Sequence, residues 1–135
     1  MNNLDRLVGV KVFGWSIVAD SDGEPIWSND CGTPLAFQYA SAPVKFGPNF
    51  STEIAAAWEV VRNLRGRRVE PYEDPWTFQI VDSFTTDVRK WSASVGTVGF
   101  RFSHGGEHED ECMAICLAAL RAVGVPESEI QEAMR

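Results

Sequence analysis

Three short segments set the terms for this chain. In "WTFQI", Trp76, Phe78 and Ile80 alternate with polar residues; in "WSASV", Trp91, Ala93 and Val95 do the same; in "VGFRF", Val98, Phe100 and Phe102 repeat the pattern. Successive side chains of a strand point to opposite faces, so this period of two predicts an antiparallel sheet with one apolar face. Gly96-Thr97 lies between the last two segments and suits a two-residue turn with Gly first. One apolar face demands a cover, and the flanking sequence offers helices to supply it.

The clearest helix is "STEIAAAWEVVRNLRG". Ser51 or Thr52 is positioned to cap it, Glu53 suits the positive end of the helix dipole, and Gly66 suits its stop. Ile54, Ala57, Trp58, Val61 and Leu64 read as one apolar stripe. A second helix, "ECMAICLAALRAVG", carries Met113, Cys116, Leu117, Leu120 and Val123 on its stripe, with Gly124 past its end. Pro126 opens a short last helix, "PESEIQEAMR". Near the start, Leu4, Leu7, Val8 and Val12 fall at helical spacing, with Asn3 as a cap and Gly14 as a stop. Residues 16–50 are irregular in pattern but hold Trp27, Phe37, Tyr39, Phe46 and Phe50, which predicts short strands or turns pinned by aromatics. The expectation is an α+β fold, a single domain over residues 1–135, with an antiparallel meander of three or more strands packed against helices.

Charge and cysteine usage exclude several function classes. The net charge of −7 opposes broad binding to nucleic acid or to an anionic membrane. The helix–three strands–helix order from Ser51 to Val123 has the outline of a double-stranded-RNA-binding domain, but the start of its final helix reads "EHEDE", where such a domain needs positive charge. Three cysteines, Cys31, Cys112 and Cys116, are an odd number and predict free thiols in a reducing compartment rather than a disulfide framework. "MNNLDRLVGVKVFGW" is too polar for a secretory leader, and no stretch approaches the roughly 20 apolar residues of a membrane span.

Three clusters are candidate sites. His104, His108, Cys112 and Cys116 are spaced by four and are chemically a full zinc set. Cys116, however, lies on the apolar stripe of its helix, and His104 and His108 are separated by Gly105-Gly106, so the expectation is a specific turn and no metal. In "EHEDE", Glu107, Glu109, Asp110 and Glu111 read as a helix start with Asp110 as cap, rather than as ligands of a hard cation. "RNLRGRR" puts Arg62, Arg65, Arg67 and Arg68 together, the one dense basic cluster of an acidic chain, suited to a phosphate, a nucleotide or an acidic protein surface. No GxSxG, Walker loop or HExxH occurs, and a His108–Cys112 thiolate pair is opposed by the surrounding carboxylates.

"LVGVKVFGW", "FSTEIAAAWEVVRNL" and "MAICLAALRAVGV", with the tryptophan strands between them, resemble the phage ABA-sandwich domain family of small bacteriophage and prophage proteins. The resemblance spans most of the chain and implies an α-β-α layered sandwich. Ile54, Ala57, Trp58, Val61, Ile115, Cys116, Leu117 and Leu120 match its motif, while "HGGEHEDEC" departs from it. It implies no particular activity and supplies no catalytic residue or cofactor. The resulting expectation is a non-catalytic phage accessory protein in the host bacterial cytoplasm, acting in counter-defence. It would sequester a nucleotide-derived signalling molecule or bind a host protein. Arg62, Arg65, Arg67, Arg68, Trp27, Phe37 and Tyr39 are the candidate ligand-binding residues. Homo-oligomerisation is compatible with so aromatic a small chain. The alternatives are a structural domain with the His/Cys zinc site, or a small hydrolase acting on a signalling nucleotide.

Overall fold

The computed structural model describes residues 2–19, 21–23, 25–29, 35, 48–65, 67–69, 74–85, 88–96 and 103–135. Helix α1 (Asn3–Lys11) leads into a hairpin of β1 (Ser16–Ala19) and β2 (Pro25–Ser28). Helix α2 (Ile54–Leu64) is followed by a two-residue ladder of β3 (Arg68–Val69) with β4 (Asp74–Pro75). Then come β5 (Thr77–Thr85), β6 (Val88–Gly96) and β7 (Ser103–His108), and finally α3 (Glu111–Ala122) and α4 (Glu127–Met134). This is the expected α+β class, with β5-β6-β7 forming an antiparallel meander.

The register explains which face is covered. Phe78 pairs with Val95 and Ile80 with Ala93, and on the next ladder Ala93 pairs with Gly106. These residues share the face on which α3 packs. Gln79, Val81, Ser92, Ser94, Gly105 and Glu107 share the opposite face; all but Val81 are polar or lack a side chain, and Val81 itself is 43% exposed, so this face meets water. A second helical layer, as in an α-β-α sandwich, would lie there; among the described residues none does.

Helix α3 is the hub. It contacts β6, β7, α1, α2 and α4, and Cys112, Ile115, Cys116, Leu120 and four alanine or leucine neighbours are buried. Asp110 caps it by accepting a hydrogen bond from the Met113 amide at 3.1 Å, as the acidic run implied. Gly124 follows it at φ 86°, and the Val125 amide closes on the Leu120 carbonyl at 3.0 Å.

Several expectations are corrected. The "HGGEH" segment is a strand and not a turn, and Gly96 sits in the ladder opposite Ser103 rather than opening a two-residue turn. The third apolar segment, 98–102, lies outside the described residues. The physical reason for the strand is close packing. A Cβ on Gly106 would stand 2.5 Å from the Ala114 carbonyl oxygen and 2.6 Å from the Ala118 nitrogen, so only glycine lets the strand lie this near α3. The cap of α1 is Asn2, one residue earlier than read, in a capping box with Asp5. Ser51 and Thr52 do not cap α2, whose N-cap is Glu53; its carboxylate makes no capping bond and accepts instead from Asn49 Nδ2 at 3.3 Å. Ser51 is instead buried, its amide donating to Asp5 Oδ1 at 2.8 Å while Asn2 Nδ2 donates to its Oγ at 3.0 Å. That bond joins the start of α1 to the turn before α2.

Gly106→Ala is expected to destabilise the fold by about 1–3 kcal/mol or more, because the obstructing atoms are backbone. Gly105→Ala, whose Cβ would meet nothing nearer than 3.7 Å, is expected to be near neutral. Urea unfolding of the two variants checks this, and equal losses would contradict the close-approach account.

Candidate functional site

The strand geometry separates the His/Cys series. With a rise of about 3.3 Å per residue, His104 and His108 have their Cα atoms about 13 Å apart, twice the spacing a helix would give. His108 Nδ1 accepts a hydrogen bond from the Asp110 amide at 2.9 Å, so it serves the helix start. Cys116 is fully buried on the core side of α3, and burial pushes its thiol well up. Cys112 is also buried, and burial followed by the charges of Asp110 and Glu111 pushes its thiol up to about 11. Among the described residues, no three His, Cys, Asp or Glu side chains gather as ion ligands. A thiol held protonated at neutral pH is also a poor nucleophile. Cys31 lies outside the described residues.

The arginine cluster is divided among different tasks. Arg67 Nη2 donates to the Val12 carbonyl at 2.6 Å and to Asn63 Oδ1, and its Nε donates to the Asn63 carbonyl at 3.1 Å. It ties the end of α2 to the end of α1. Arg62 is exposed and paired with Glu59 one turn back on α2. Arg68 lies in β3. Arg65, at the C-cap of α2, is exposed, and no side-chain hydrogen bond or ion pair holds it among the described residues. Trp27 is 1% exposed, lies edge-on to Trp15, and covers Gly9 so closely that a Cβ there would meet its ring at 2.6 Å. It is a core residue whose indole N–H has no partner among the described residues. Phe37 and Tyr39 lie outside the described residues.

Arg65 instead belongs to a groove between α2 and β5. It is lined by Trp58, Val61, Arg65, Thr77, Phe78 and Ile80 and has a volume of about 330 Å³. Trp58 and Phe78 meet edge to face with ring centroids 6.1 Å apart. Thr77 Oγ1 donates to the Gly96 carbonyl at 3.1 Å, which fixes the far end of the wall. The sequence stripe of α2 had placed Ile54 and Trp58 in the core, but they are 44% and 38% exposed. The buried residues are Ala56, Ala57, Val60, Val61 and Leu64. At about 100° per residue, Ile54, Ala56, Ala57, Trp58, Val60, Val61 and Leu64 cover an arc of about 200° on α2, wider than one buried stripe, and that width is the signal for a second, surface-facing edge.

A further cluster was not anticipated. Arg121 on α3 grips Glu127 with Nε and Nη2 at 3.0 and 2.9 Å, and its Nη1 donates to the Gly105 carbonyl at 2.7 Å. It therefore clamps α4 and occupies a backbone acceptor of the edge strand β7. These hydrogen bonds from Arg121, helped by Gln131, hold the Glu127 carboxyl at about 2.

The chain matches no family model, no curated protein and no solved structure. No helix among the described residues is long and apolar enough to cross a membrane.

Two measurements follow from the titrating groups. Iodoacetamide at pH 8 is expected to label Cys112 at least about 100-fold more slowly than a free cysteine, and at the ordinary rate once the chain is unfolded. For Glu127 the folded carboxyl is depressed, so the stabilisation it contributes is present above its ordinary value of 4.5 and is lost as pH falls toward about 2. The Tm difference between the native chain and Glu127→Gln is expected to be constant near neutrality and to close over that window.

Proposed function

We propose that this is a non-catalytic binding protein whose α2–β5 groove takes a small nucleotide-derived molecule. The supporting observation is the pairing of one uncommitted cation, Arg65, with the Trp58–Phe78 aromatic wall in a groove of about 330 Å³. A guanidinium recognises a phosphate by charge and paired donors, and an aromatic face or edge accepts a planar base. The volume falls at the lower end of the range for small-molecule sites, roughly 300–1,000 Å³. The motif resemblance supplies the setting. In that reading the protein is a phage or prophage accessory protein, acting in the host cytoplasm to sequester a signal of an antiviral defence.

One observation favours a second occupant. Ile54 and Trp58 expose apolar surface one turn apart on α2, which suits a host protein surface with Trp58 as anchor.

A thermal-shift screen against mononucleotides, cyclic dinucleotides and ADP-ribose derivatives separates these readings. A ligand at 100 times its Kd is expected to add about 2.7 kcal/mol. That shift is expected to vanish in Arg65→Ala and to fall in Trp58→Ala, with the ligand recovered unchanged. No shift with any of these compounds would transfer the argument to the protein partner, and conversion of the ligand would favour a hydrolase.

A further inference from the structure

Helix α1 has two faces with different chemistry. Leu4, Val8 and Val12 are buried inward. The outward stripe of Arg6, Leu7 and Val10, with Lys11 beside it, forms one wall of a second groove, of about 450 Å³, unrelated to the α2–β5 groove. The other wall is α4, through Glu129, Glu132 and Ala133. Its floor is apolar, and Val10 is 39% exposed. One rim is basic and the other acidic.

We propose that this groove is a self-association surface, on which a second copy of the chain docks about a two-fold axis. Two adjacent helices of opposite charge are complementary to themselves when turned by half a rotation: α1 of one copy lies over α4 of the other, twice. Arg6 and Lys11 then meet the partner's acidic rim, while the Leu7, Val10 and Ala133 floors close on each other. A chain of net charge −7 repels its own copies in general, so a docking face between copies has to cancel charge locally, and this one does. The pair already present across the groove, Lys11–Glu129 at 3.8 Å, has both side chains 44% exposed. Glu132 is paired with Arg135 at 3.5 Å, also at the surface. Exposed pairs of this kind contribute little and are free to exchange partners.

Sedimentation equilibrium of the full chain tests this. The native chain is expected to dimerise, more weakly at high salt. R6E with K11E makes both rims acidic, and E129K with E132K makes both basic. Each double variant alone is expected to associate at least about 10-fold more weakly, since like charges are then juxtaposed. An equimolar mixture of the two is expected to recover the dimer, because each acidic helix then faces a basic one. A native chain that stays monomeric throughout the micromolar range would overturn the proposal, as would a mixture that stays monomeric. Circular dichroism checks that each variant is folded. Should a reversal unfold the chain, V10R, which changes a single exposed floor residue, carries the test: undiminished association would again overturn it. A monomeric native chain that binds an amphipathic helical peptide through the same residues would reassign the groove to a foreign partner.

Discussion

The structure depends on how closely β7 approaches α3. At Gly106 the strand has no side chain, and the facing helix surface is built from Ala114, Leu117 and Ala118. Backbone meets backbone, and any Cβ would have to displace a main-chain atom rather than a flexible side chain. That proximity lets α3 be buried along most of its length and serve as the element on which the sheet, α1, α2 and α4 all converge. Asp110 and His108 then define where the helix begins, and Arg121 and Glu127 define how α4 is held after it ends.

Several buried or half-buried polar groups are used to join elements. Asp5 is 1% exposed and links the capping box of α1 to the Ser51 turn. Arg67 reaches across to the Val12 carbonyl, and Arg121 spans Gly105 and Glu127. A buried or half-buried charge needs such partners to offset its desolvation, and a group so engaged is poorly placed to bind a ligand as well. Arg65 differs because it ends α2 at the surface, beside Trp58 and above β5.

The elements with strong periodicity were legible from residues alone. The strands around Trp76–Ile80 and Trp91–Val95, the helices around Ala57–Leu64 and Met113–Leu120, the Asp110 cap and the Gly124 stop all follow from local pattern and propensity. "HGGEH" reads as a turn because two glycines and two histidines carry no period-two signal. Its strand state comes from β6 on one side and α3 above, neither of which a local pattern can report. Trp58 reads as a core residue for a related reason: a helix with an apolar arc wider than its buried stripe leaves open which edge the core will take.

The class of fold and the positions of the main amphipathic helices were legible in the residues, because periodicity and capping are local properties. It took the packed structure to show that Gly106 lies beneath α3, that Arg67 and Arg121 are clamps, and that Arg65, Trp58 and Phe78 line one groove. Those outcomes depend on which side chains from distant parts of the chain compete for the same space and the same hydrogen-bonding groups, and that competition exists only once the layers have packed.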